Sequence, residues 1–234
     1  MPLPHAIRLV AVEYRRHRFA ALFFALLLTL GGHSFFGHLH PLAKPTEWIL
    51  AVSLAVVLLN VDARTKPLFA CGAIFAFARL AQAVISEPRL QILALVLWGV
   101  SCVLAALVTM RVAFRRGRVD AERIFAVLNA YMLTGLIFGI AFAMINIVDP
   151  ASFRLPSNAP MRFEEGIYLS FVVLTSLGLG EIVPVSGVAR GLAIVEAIVG
   201  QMYMAVLVAR LVSLYSADEF ARYLDERTER QRKR

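Results

Sequence analysis

The chain reads as an all-α membrane protein: six transmembrane helices, with a re-entrant half-length helix and a glycine-bearing loop between the fifth and the sixth. Composition, run length and charge placement lead to this fold class. Hydrophobic residues make up 59% of the 234 residues and charged ones 17%, whereas a soluble domain averages about 45–50% apolar and about 25% charged. The apolar residues gather into runs near the roughly 20 residues that cross a bilayer core. The basic residues gather between alternate runs.

The first span, 19–36, follows Arg15, Arg16 and Arg18. A cleavable leader would need a small-residue cleavage site soon after its apolar core. Gly31-Gly32-His33 is a poor one, so the run reads as a retained helix. Pro41 and Pro45 break the chain before the second span, 47–61. Asn60, Asp62, Arg64, Lys66 and Pro67 mark a polar turn, and the third span, 68–85, closes at Glu87-Pro88. The fourth span is 89–110. The fifth, 121–148, stops at Asp149-Pro150, and 151–162, with Pro156 and Pro160, reads as a loop. The moderately apolar segment 164–174 is too short to span and fits a re-entrant helix. A glycine-containing stretch, 175–187, leads into the sixth span, 188–216. The tail is charged and helix-compatible, with i,i+4 pairs Glu226–Arg230 and Glu229–Lys233.

Six spans put both termini on one side. That side collects Arg8, Arg15, Arg16 and Arg18, then Arg64 and Lys66, then Arg111, Arg115, Arg116, Arg118 and Arg123. The tail adds Arg222, Arg227, Arg230, Arg232, Lys233 and Arg234, seventeen in all, against five on the other side: Lys44, Arg89, Arg154, Arg162 and Arg190. The positive-inside rule therefore places both termini in the cytoplasm and the glycine loop outside. The net charge of +8 reports this topology and not a nucleic-acid partner. Cys71 and Cys102 sit in apolar runs without metal spacing and read as small buried residues. No nucleophile, base and ligand set has recognisable spacing, so neither an enzyme nor a cofactor is expected.

Irregular backbone at membrane depth is tolerated only where it is buried in protein or lines water. LTSLGLGEIVP, residues 174–184, is such a stretch. Gly178 and Gly180 alternate with Leu177 and Leu179, which suits a segment whose carbonyls face one axis, at backbone angles glycine adopts freely. The segment resembles the pore loop of potassium channels, whose filters are built of backbone carbonyls. Ser176-Leu177-Gly178-Leu179-Gly180 lines up with the T-V-G-Y-G pattern; Thr175 matches the preceding threonine, Glu181 stands for the usual aspartate, and Pro184 matches a following proline. The resemblance covers 121–216, and the first four spans share only number and arrangement with the six-span members.

The resemblance, to the bacterial type of six-span subunit, implies a homotetramer in lipid, in a bacterial inner (plasma) membrane, with potassium as the permeant species. Carbonyls of Ser176, Leu177, Gly178 and Leu179, with the Ser176 hydroxyl, would replace the ion's water shell, and Gly180 would complete the filter. Leu177 and Leu179 would pack on the pore helix, and Glu181 would ring the outer mouth. The chain then divides into a cytoplasmic N-terminus (1–18), a sensor-like four-helix domain (19–110), a basic linker (111–120), a pore domain (121–216) and a charged cytoplasmic tail (217–234). Ser176 lacks threonine's methyl and Leu179 replaces an aromatic residue. A potassium channel and a weakly selective cation channel on the same scaffold therefore both stand. A secondary transporter with a broken helix would show a matching interruption in the first half, which is not seen.

Gly200 lies twenty residues after Gly180, near where the family has a gating hinge. Glycine weakens a helix by roughly 1 kcal/mol; close helix packing is the competing role. Glu196 and Gln201 lie within the sixth span, and such groups usually face protein or water. Both the pore cavity and the helices behind the filter are open to Glu196. Asn146 and Arg210 lie near helix ends, where solvation suffices. A voltage sensor needs arginines within its fourth helix; 90–110 has no basic residue, and Arg79 is the exception among the first four spans. His33, His38 and His40 read as a polar membrane-edge loop.

Overall fold

The computed structural model describes residues 18–36, 88–113, 121–156 and 161–232. The expected second and third spans, with Cys71 and Arg79, lie outside them, as do His38, His40 and the side chain of His33. The described chain forms helices α1 (Arg18–Phe36), α2 (Pro88–Ala113), α3 (Ala121–Val148), α4 (Phe163–Leu174) and α5 (Gly187–Arg232). Among the described residues, three helical stretches are long and apolar enough to cross a membrane: Gln91–Ala113, Ala121–Val148 and Gly187–Arg210. α1 carries a shorter apolar stretch, Phe19–Gly31.

Several starts shift by one residue, and the larger departures from expectation are three. α2 continues to Ala113, into the expected linker, and keeps Arg111 in its last turn, where a cation meets the carbonyl end favourably. α5 runs through the tail to Arg232, since no glycine or proline interrupts the chain after Gly200. The expected loop after α3 contains a 3-10 turn, Pro150–Ser152, and a two-residue strand, β1 (Phe153–Arg154). Asp149 is the cause. Its carboxylate accepts from the Ala151 N–H at 3.1 Å and from the Ser152 hydroxyl at 2.8 Å, while Pro150 occupies a first-turn position where no donor is needed.

α3 organises the rest, packing against α1, α2 and α4. Leu133, Leu136 and Ile140 of α3 are buried among Leu22 and Leu26 of α1 and Leu95, Trp98 and Cys102 of α2. The start of α1 is also tied to α3 by polar contacts. The Glu122 carboxylate accepts from the Phe19 N–H at 3.0 Å, and Asn129 Nδ2 donates to the Phe19 carbonyl at 2.7 Å. First-turn N–H groups have no partner within their own helix, so α3 supplies the cap from a distance.

α4 sinks against α3 through glycine. A Cβ on Gly139 would lie 2.8 Å from Ile167 Cα, and one on Gly135 would lie 2.8 Å from the Phe171 ring. Small residues of this kind let helix backbones approach closely. A second cluster, including Phe142, Phe153, Leu155, Leu169 and Ile182, closes over the C-terminal end of α3. Asn146 lies buried there and donates Nδ2 to the Met161 carbonyl at 2.7 Å, so it is a structural tie and not the solvated residue its place near a helix end implied. Gly139→Leu has no room against the Ile167 backbone. It is expected to cost about 1–3 kcal/mol or more and to lower the thermal unfolding midpoint of the detergent-solubilised protein; an unchanged midpoint would show that α4 is not seated this way.

Candidate functional site: the glycine segment and its supports

α4 ends in a reversal. The Ser176 N–H donates to the Val173 carbonyl at 3.0 Å and the Leu177 N–H to the Val172 carbonyl at 2.9 Å, the paired bonds of a Schellman motif. The left-handed position of that motif usually holds glycine. Here it holds Ser176, at φ 57°, a conformation costing a non-glycine residue of order 1–3 kcal/mol. The Thr175 hydroxyl is turned back on the helix, donating to the Phe171 carbonyl at 2.6 Å.

Left-handed angles then recur at alternate residues. Gly178 has φ 62° and Gly180 has φ 77°, while Leu177 and Leu179 do not take positive φ. The sign of φ therefore alternates from Ser176 to Gly180. The glycines meet the requirement expected of them; the serine in the same conformation was not anticipated. Residues 175–181 are all exposed within the subunit. Leu177 and Leu179 are 61% and 54% exposed within the single chain.

The segment runs back alongside α4. The Tyr168 hydroxyl, two turns before the end of α4, donates to Glu181 Oε2 at 3.2 Å. Ile182 then enters the second cluster. Val183–Pro184, strand β2, pairs antiparallel with β1, Phe153 opposite Pro184 and Arg154 opposite Val183. The Val185 N–H donates to the Ser152 carbonyl at 2.8 Å, and the Ser186 hydroxyl caps α5 by accepting from the Ala189 N–H at 3.2 Å. The exposed stretch is therefore held at both ends.

α5 meets the end of α4 at Gly200, where a Cβ would collide with the Leu174 carbonyl oxygen. The Tyr131 hydroxyl of α3 donates to the same oxygen at 3.2 Å. The Tyr131 ring stands 5.3 Å from that of Tyr203, whose hydroxyl donates to the Val127 carbonyl. α5 is helical through Gly200, so in this conformation the glycine serves close approach.

One turn earlier, Glu196 is fully buried and faces Ser170 of α4, which answers the question of its direction in favour of the helix behind the segment. The Ser170 hydroxyl lies 2.6 Å from the Gly135 carbonyl and also against Glu196 Oε1. A hydroxyl carries one proton. That of Ser170 therefore lies between two acceptors, the Gly135 carbonyl and the Glu196 carboxyl. One oxygen thereby joins α3, α4 and α5. Gln201, by contrast, is exposed and donates Nε2 to the Ser176 hydroxyl at 2.6 Å. Sequence reasoning missed Tyr131, Tyr168, Ser170 and Tyr203 and the partner of Gln201. The signal was available as polar atoms in apolar segments, which need partners.

A family model described as an ion channel matches residues 130–217, from α3 through α4 and the glycine segment into α5. The chain is also similar to Protein LctB of Bacillus caldotenax, 31% identical over 100 residues, covering 41% of this chain and 74% of the relative. It is 34% identical to Protein LctB of Geobacillus stearothermophilus over 82 residues, covering 31% of this chain and 60% of the relative. No solved structure matches. The chain belongs to the ion-channel family and is potassium-channel-like.

Ser170→Ala leaves the buried Glu196 carboxyl without its partner and is expected to cost about 1–3 kcal/mol, read as a lower unfolding midpoint in detergent. Adding Glu196→Leu should recover most of that loss, because removing both partners avoids an unmet polar group. Additive losses would rule out the pairing.

Proposed function

We propose that the chain is one subunit of a homotetrameric channel that passes potassium passively across a membrane. The carrying observation is the left-handed backbone at Ser176, Gly178 and Gly180, directly after a half-length helix and before a full apolar span. In this reading α4 is a re-entrant pore helix and 176–180 is the filter. Carbonyls of Ser176, Leu177, Gly178 and Leu179, with the Ser176 hydroxyl, replace the ion's hydration shell. Glu181 contributes one of four carboxylates at the outer mouth, raising the local cation concentration. Both termini lie in the cytoplasm, and the chain before the basic linker forms a sensor-like domain without the arginines of a voltage sensor.

Assembly around an axis agrees with the surface of α5. Val188, Ile194, Ile198 and Met202 are all more than half exposed, and the polar Gln201 lies among them. Lipid alone would suit the apolar residues and not the glutamine; subunit contacts beside a water-filled path accommodate both. Neighbouring subunits would also seat Leu177 and Leu179. Those leucines and Ser176 are what favour the second reading, a weakly selective cation channel. The Tyr168–Glu181 contact favours the ordered filter, since it anchors the outer end where Leu179 offers no hydroxyl.

Purified protein reconstituted in vesicles should carry potassium far faster than sodium down matched gradients. Equal rates would establish the weakly selective channel, and a stable monomer without flux would remove both. Gly178→Ala should abolish selective flux, because a side chain at its left-handed angle is strained by roughly 1–2 kcal/mol. Glu181→Gln should lower single-channel conductance at low ionic strength, with the difference fading as salt screens the mouth; a salt-independent difference would exclude the electrostatic role.

A further inference from the structure

We propose that Gln201 is a positioning residue for ion discrimination: its side-chain amide holds the Ser176 hydroxyl, the innermost side-chain ligand of the filter. The assignment rests on the channel reading above and extends it to a residue outside the filter motif.

Two hydroxyls stand at the start of the segment. That of Thr175 is committed to the Phe171 carbonyl at 2.6 Å. That of Ser176 is free of its own helix and receives the Gln201 amide at 2.6 Å instead. A serine side chain chooses among three staggered rotamers. Threonine, which the T-V-G-Y-G pattern carries at this position, is stiffened at χ1 by its branch. Ser176 lacks that branch. The hydrogen bond from Gln201 supplies an equivalent restraint from outside. It occupies one of the two lone pairs on the hydroxyl oxygen and leaves the other to an ion.

Gln201 suits this role because its own origin is fixed. It directly follows Gly200, whose backbone lies against the Leu174 carbonyl, and Leu174 is two residues before Ser176. The amide and the hydroxyl therefore start from backbones already in contact, and the glutamine side chain bridges the remaining distance. The same contact also braces a serine held in the left-handed region at φ 57°. A looser hydroxyl would present a cage that adapts to the smaller sodium ion, so losing the amide should lower discrimination without removing conduction.

The test uses the full chain in planar bilayers, reading the potassium-to-sodium permeability ratio from reversal potentials under bi-ionic conditions. Gln201→Leu should lower the ratio severalfold while tetramers still form in detergent. With Ser176→Ala, the second change should add nothing to the first. A packing role for Gln201 would instead lower the ratio by the same factor whatever residue stands at position 176. A wild-type ratio in Gln201→Leu, or an undiminished effect of Gln201→Leu on the Ser176→Ala background, overturns the assignment and leaves the channel reading intact. If Gln201→Leu fails to assemble, Gln201→Met, of similar length and without the hydrogen bond, carries the same expectations and the same overturning results. Wild-type channels that fail to discriminate overturn the selective reading and this assignment together.

Discussion

The contact between the Leu174 carbonyl and the Gly200 backbone sets the geometry of everything around the glycine segment. No Cβ fits between them, so α4 and α5 meet main chain to main chain at this point, and the side-chain contacts on either side follow from it. Several consequences follow along α5. Glu196, one turn earlier, is carried into the protein opposite Ser170. Gln201, one residue later, is carried within reach of Ser176. Tyr131 reaches the same carbonyl from α3, so the last turn of α4 is gripped from two sides.

That grip explains how the segment after α4 can hold an unfavourable backbone. Glycine adopts left-handed angles at 178 and 180 without steric cost, but Ser176 does not. Its conformation persists because the surroundings over-determine it: two helix-ending hydrogen bonds act on its backbone side and one amide on its hydroxyl. At the far end, the Tyr168 contact, the two-residue ladder and the Ser186 cap fix where the chain re-enters regular structure. Between these supports the backbone needs few contacts of its own, and its polar groups are left available.

The parts legible in the sequence are those governed by local chemistry. The fifth span ends where Asp149-Pro150 must end it, and α3 has the expected limits of 121–148. α4 begins one residue earlier than anticipated, and the two glycines take the angles only glycine takes freely. What could not be read depends on neighbours distant in sequence. Nothing local distinguishes Ser176 from an ordinary helix-ending serine. Glu196 could have faced water or protein until α4 was set beside it. Leu177 and Leu179 look like residues that should be buried, yet both are exposed within the chain. The tail is a different case: its i,i+4 pairs were visible, but the sixth span was expected to end at 216, and the unbroken α5 reflects the absence of any glycine or proline between 201 and 232.

That continuity makes α5 a lever. Its 46 residues amount to about 69 Å at 1.5 Å each, and the pinned point at Gly200 lies well toward one end. The arm from Gly200 to Arg232 is roughly 48 Å long. If the helix stays straight and turns about that point, a tilt of about 5° sweeps the far tip through roughly 4 Å while Gln201, beside the pivot, scarcely moves. Displacements at the tail thus arrive at the Ser176 contact strongly reduced, and a disturbance small enough to matter there corresponds to a large excursion at the far end.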